Sequence, residues 1–235
     1  MTTASHHHVS PVTYPGGVDH AGTSTDVEEF LPRRRPTQER GHRRFDAILA
    51  AARTLLTEVG IESFTADQVA ARAGVPIGSV YQFFGNKHAI VCELDRLDTE
   101  RVMDALGDFA AEIPSLDWAA LLERLLDHLA GLWRTDPSRR AVWLAMQSVP
   151  ATRALAAQHE RELAAEVTRL LAPLTPGSAI EHRQTIAEVL VHVTYSMLNF
   201  SIRDGQSHPD AVVHLKMMLT GYLVRAEADA AARRA

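Results

Sequence analysis

Seven prolines punctuate the chain after its first quarter, at positions 76, 114, 137, 150, 173, 176 and 209. Each falls at the edge of a run whose apolar residues recur at three- and four-residue steps. Proline lacks the N–H that a helix interior needs and its ring crowds the preceding turn, so it marks where helices start or stop. The first run carries Phe45, Ile48, Leu49, Ala52, Leu55, Leu56 and Val59 on one face, with Gly60 as its C-terminal cap. Further helices are expected over 67–73, from Pro76-Ile77 to Phe84-Gly85, from Asn86-Lys87 to about Phe109, and over 117–134, 138–148, 152–172, 178–203 and 208–230. No stretch sustains period-two alternation, so a sheet has nowhere to form. The fold class is all-α.

Composition narrows the class further. Of 235 residues 46% are hydrophobic and 23% charged, the balance of a chain that buries a core. No apolar run approaches the roughly 18 residues a bilayer span needs, and the N-terminus lacks a basic-then-apolar leader, so no membrane partner is expected. The single cysteine, Cys92, excludes an internal disulfide framework and suits a reducing compartment. The expected location is cytoplasmic. Residues 1–31 show no periodicity, and 1–38 read as a disordered tail with a basic arm, Arg33-Arg34-Arg35. His6-His7-His8 in that tail is not read as a metal site.

Charge is unevenly placed. Residues 31–90 hold nine Lys or Arg against five acids, whereas residues 91–235 hold fifteen against twenty. A basic head on an acidic body points to nucleic acid at one end and another task at the other.

Residues 65–84 carry the most specific pattern. Thr65 and Gln68 stand at capping-box spacing, Gly74 supplies a left-handed turn, and Pro76 opens the next helix. Two short helices joined by such a turn form a helix-turn-helix, whose second helix enters the DNA major groove. The window around it, about 50 residues, resembles the TetR family of bacterial transcriptional repressors. The resemblance rests on Val59-Gly60, Phe64-Thr65, Val69-Ala70, Ala73-Gly74-Val75, Gly78 through Phe84, and Asn86-Lys87. It implies a three-helix head over 39–97 and a ligand-binding and dimerisation bundle over 98–230. One departure is Pro76-Ile77, where family members often carry polar or basic residues.

Candidate DNA contacts follow from side-chain chemistry. Gln82 can pair with adenine, Ser79 with either base type, and Ile77 can pack on a thymine methyl. Gly78 allows close backbone approach. Thr65, at a helix N-terminus, can meet a phosphate. Tyr81 and Lys87 match the family's phosphate-contacting tyrosine and lysine. Arg43 and Arg44, with the 33–35 triplet, can reach backbone or minor groove, and Phe83 completes the set although core packing explains it equally. Val80 and Phe84 read as core.

Catalysis is not signalled: no HExxH, GxSxG, GxGxxG or phosphate-binding loop stands in context. His88 with Cys92, and Glu188 with His192, are spaced for two metal ligands each, half of a site. No enzyme activity, cofactor or metal is expected. In the body, Trp118, His128, Trp133, Trp143, Met146, His192, Tyr195 and Asn199 are candidate pocket residues, with core the alternative for any one of them. Leu190, Leu198, Leu215, Met218, Leu219 and Tyr222, on the last two helices, are candidates for a dimer interface, as the resemblance implies. The expected protein is a homodimeric repressor of a palindromic double-stranded operator, released by a small apolar or aromatic effector. The alternatives are a helical enzyme or metal protein, and a small-molecule carrier or interaction module with a vestigial head.

Overall fold

The structure, a computed structural model, describes residues 29–112, 118–173, 175, 177–202 and 208–232. The histidine run at 6–8 lies outside these. Among the described residues there are nine helices and no strand. In chain order they are α1 Glu39–Ser63, α2 Ala66–Ala73, α3 Ile77–Phe83, α4 Lys87–Glu112, α5 Trp118–Thr135, α6 Ser138–Met146, α7 Pro150–Leu171, α8 Ile180–Ser201 and α9 Pro209–Ala232. The expected all-α architecture of a helix-turn-helix head and a C-terminal bundle is what the chain forms.

The local signals operate as their chemistry requires. Gly60 sits at φ 67° and ψ 174°, interrupting α1 three residues before its end. The Thr65 hydroxyl accepts the Gln68 N–H at 3.2 Å, and Gln68 Oε1 accepts the Thr65 N–H at 3.0 Å, closing the capping box. Gly74 is left-handed, and its N–H caps the end of α2.

Two apolar cores form. The first joins α1, α2, α3 and the N-terminal half of α4, and α6 with the start of α7 completes it through Val142, Ala145, Met146, Leu155 and Ala156. The second joins the rest of α4 to α5, α7, α8 and α9. α4 and α7 therefore run through both cores, and α6 packs on α1 as well as on α4.

A polar seam lies where the cores meet. Arg53 of α1 donates to both oxygens of Asp98, at 2.6 and 3.1 Å, and to the Ser138 hydroxyl at 3.1 Å. His159 of α7 meets Asp95 of α4 at 2.6 Å. These contacts are partly buried and tie the head to α4, α6 and α7.

Candidate nucleic-acid interface and apolar cavity

The short helix α3 divides cleanly. Val80 and Phe83 point into the head core, and Ser79 is also buried. Ile77, Gly78, Tyr81 and Gln82 are exposed, at steps of one, three and one along α3. That places four of the expected DNA-facing residues on one surface. Phe83 is corrected: it is 3% exposed and set edge-on against Phe45, so its side chain belongs to the core. The burial of Ser79 likewise takes its hydroxyl off that surface.

The flanking candidates are held rather than free. Thr65 is exposed at the head of α2, with its hydroxyl oxygen engaged in the capping box. Lys87 Nζ donates to the Ile61 carbonyl at 2.9 Å, which ties the start of α4 to the segment after Gly60 and leaves two N–H groups. Arg43 is exposed and pairs with Glu39 at 2.5 Å, while Arg44 Nε reaches the Arg40 carbonyl at 3.4 Å.

The basic arm keeps its three arginines exposed but is anchored to the head in a way its sequence does not announce. Residues 29–36 form a strap over the junction of α3 and α4. The Arg33 N–H donates to the Phe83 carbonyl at 2.8 Å, and Phe30 meets the His88 ring. Arg35 donates from Nη1 and Nη2 to Glu93, each at 2.9 Å. Glu93 also takes two hydrogen bonds from Arg96, at 3.0 and 2.8 Å, and is itself almost wholly buried. The available signal was Glu93 itself, a lone acid within the apolar run Ala89-Ile90-Val91-Cys92-Glu93-Leu94. A charge on a buried face needs a partner.

In the body, α4, α5, α7, α8 and α9 enclose a cavity of about 120 Å³. Leucines dominate its wall, joined by Val102, Phe109, Trp118, Trp133, Thr194 and Tyr195, and no lining residue carries a charge. An apolar void of this order stays dry and accepts a benzene-sized guest. Of the expected pocket residues Trp118, Trp133 and Tyr195 line it, with Trp133 and Tyr195 edge-to-face. The others are corrected. His128 and His192 are exposed on the outer faces of their helices, His192 facing Glu160 at 3.5 Å. Asn199 is half-buried away from the wall, and Met146 is fully buried in the head core. Trp143 lines a neighbouring gap of about 20 Å³ with Asp95, Asp98, Arg139 and Tyr195. Burial pushes the Tyr195 phenol well above its ordinary value, so it stays a neutral hydroxyl.

The expected dimer residues also divide. Leu190, Leu198 and Leu219 line the cavity, and Leu215 is fully buried in the body core, so none of the four offers a surface. Met218 and Tyr222 are exposed, beside Val213, Met217 and Val224 on α9 and Val189 and Phe200 on α8. Cys92 is buried, and desolvation raises its thiol to about 12, which makes it inert. Among the described residues no three His, Cys, Asp or Glu side chains converge as a metal site, and no helix is long and apolar enough to cross a membrane.

Two family models match the chain. Residues 48–94 match "Bacterial regulatory proteins, tetR family", and residues 116–227 match "Tetracyclin repressor-like, C-terminal domain". An uncharacterized HTH-type transcriptional regulator of Bacillus subtilis, YdeS, is 32% identical over 108 residues, 46% of this chain and 48% of that protein. The aligned stretch thus spans about half the length of that relative. Among solved structures, a TetR-family transcriptional regulator from Streptomyces coelicolor is 26% identical, with a TM-score of 0.59 over 78% of this chain and 99% of that one. A multidrug binding protein, EbrR, solved with imidazole, is also 26% identical, with a TM-score of 0.58 over 75% of this chain and 93% of that one.

Proposed function

From the premise that this chain belongs to the TetR family of DNA-binding transcriptional regulators, we propose that it is a homodimeric repressor of a palindromic operator, released by a small uncharged apolar or aromatic effector. The observation that carries the effector reading is the uncharged cavity closed on one side by α4, the helix that also builds the head core. A wall without charge selects against cations and anions, because nothing there offsets their lost hydration. Tyr195 and Thr194 supply the few hydroxyls that would orient a guest.

On the head, Gln82 reads a base edge, Ile77 packs on a methyl, and Tyr81 and Lys87 hold phosphates. Gly78 lets the backbone come close, Thr65 offers its hydroxyl hydrogen to a phosphate, and Arg43 and Arg44 add charge along α1. Two heads read half-sites about 34–36 Å apart, which calls for a two-fold protein. The exposed apolar residues of α8 and α9, Met218 and Tyr222 among them, support a second copy as the partner that covers them.

The test is fluorescence anisotropy against the duplex flanking the chain's own gene, with random duplex beside it. Gln82→Ala narrows the preference for operator by about 1–3 kcal/mol, and Tyr81→Phe weakens both duplexes alike. Lys87→Ala flattens the salt slope by about one unit, read with a thermal melt because its Ile61 contact is lost too. Toluene releases the wild-type complex, whereas Leu126→Phe, which fills the cavity, leaves operator binding intact and toluene without effect. Equal loss on both duplexes for Gln82→Ala removes its base-reading role. Release that survives Leu126→Phe removes the cavity from the mechanism.

A further inference from the structure

A second concavity lies on the other side of Trp133, and nothing in the family reading accounts for it. It is a groove of about 480 Å³ between the end of α1, the end of α5 and α6. Leu56 and Ile61 of α1 wall it on one side, and Trp133 of α5 with the 41%-exposed Leu144 of α6 wall it on the other. Its volume falls within the range of small-molecule sites. Two arginines, Arg134 and Arg140, line it as well.

Neither guanidinium has an ion-pair or hydrogen-bond partner among the described residues, and the Arg140 Nε is buried without an acceptor. The nearby carboxylates are already committed. Asp136 accepts from the Ser138 N–H and hydroxyl and lies 4.0 Å from Arg53, and Glu58 is taken by both terminal nitrogens of Arg72. A buried donor with no acceptor is costly, and a charged one more so. In a chain of net charge −5, the buried, unmet Arg140 Nε and the solvent-exposed Arg134 beside an apolar wall are complementary to one class of guest.

The geometry points to a second ligand site at the head–body junction that binds a small amphipathic organic anion, a carboxylate or sulfonate on an aromatic or short aliphatic body. The acid group takes the Arg140 and Arg134 N–H groups as charge-assisted hydrogen bonds, and the body lies on Leu56, Ile61, Trp133 and Leu144. Such a guest touches α1 and α6 together, so it fixes the angle of the head. It also abuts Ile61, whose carbonyl holds Lys87.

Two naphthalene probes separate this site from the uncharged cavity. 8-Anilinonaphthalene-1-sulfonate carries the anion, and N-phenyl-1-naphthylamine has the same body without it. The sulfonate binds the folded wild-type protein, and Arg134→Gln/Arg140→Gln weakens that binding about ten- to a hundredfold while leaving the naphthylamine unchanged. Leu144→Asp, at an exposed position, also expels the sulfonate by repulsion, and it decides the matter alone if the double variant melts early. Leu126→Phe in the cavity leaves the sulfonate unaffected, so failure of the effector reading and failure of this one are distinguishable. Sulfonate binding that survives both groove variants, or that follows Leu126→Phe instead, overturns the proposal.

Discussion

Glu93 gives the sharpest test of how the head is held together. Its side chain is 1% exposed, whereas those of Arg35 and Arg96 are 54% and 29% exposed. The carboxylate is the desolvated member, and among the described residues the two arginines are its substitutes for water. Arg35→Met removes two charge-assisted bonds but leaves the two from Arg96, so with a half-exposed partner the cost is about 1–2 kcal/mol. Arg96→Met is of the same order, since its other partner, Glu100, is exposed. Removing both leaves a buried charge with nothing to face, and breaking a buried pair in that way costs about 3–5 kcal/mol.

The double variant therefore exceeds the sum of the singles by about 1 kcal/mol, a coupling within the range for groups sharing one partner. The assay is urea and thermal unfolding followed by far-UV circular dichroism, where each kcal/mol moves the midpoint by about 2–4 °C in a chain of this size. Adding Glu93→Met to the double variant restores most of the loss, because an apolar triad no longer buries a charge. Additive singles, or a triple variant no better than the double, refute the reasoning. Operator affinity falls in the double variant as well, since the loosened strap is what carries the Arg33 N–H to the Phe83 carbonyl at the end of α3.

Two further outcomes follow from burial and ionisation. Met217 is 65% exposed and Leu215 fully buried on the same helix, so Met217→Glu gives a folded monomer in sedimentation, and Leu215→Glu instead costs about 3–5 kcal/mol of fold stability. A monomeric wild type at micromolar concentration ends the dimer reading. Burial opposes charge on His159, but the hydrogen bond and charge of Asp95 outweigh it and hold its pKa above the ordinary 6.5. A raised folded pKa stabilises fully below 6.5 and is lost as pH rises through the raised value. Melting temperatures across that window fall with pH in the wild type, and His159→Gln flattens the slope. A slope that persists in the variant assigns it elsewhere.

The helices were legible because their signals are local. A proline, a left-handed glycine or the pair Thr65 and Gln68 acts within one turn, so sequence spacing suffices. The strap was not legible, since Arg35 and Glu93 lie 58 residues apart and either charge alone reads as solvated. The cavity was misread for a different reason. Its wall is mostly leucine, and a leucine stripe looks the same whether its far side is filled or empty. Polar residues in the body such as His128 and His192 carry the chemistry of ligand contacts, but on an amphipathic helix they face water. On α5, Leu122, Leu126, Leu129 and Trp133 turn inward, which puts His128 outside. On α8 the apolar circumference does face two ways, with Leu190 and Leu198 toward the cavity and Val189 and Phe200 toward open surface.

On the proposed effector reading, the position of the polar seam along α4 sets what a guest in the cavity would do to the head. α4 runs 26 residues without interruption, about 39 Å at 1.5 Å per residue. Its cavity end carries Leu106 and its head end Lys87, with Asp95 and Asp98 between them gripping His159 and Arg53. Measured from Asp98, the cavity arm is about 12 Å and the head arm about 16 Å. A rigid helix pivoting there converts a shift of about 1 Å at Leu106 into about 1.3 Å at Lys87, in the opposite sense. In the proposed homodimer, two heads moving in this way would change their separation by about 2–3 Å against a half-site spacing fixed by the DNA helical repeat. Because α6 is packed on α1 and hydrogen-bonded to Arg53 through Ser138, the head follows as a unit rather than shearing at the seam. On the proposed effector reading the seam is the fulcrum, so Arg53→Met is expected to leave the cavity and α3 intact while toluene no longer releases operator in the anisotropy assay.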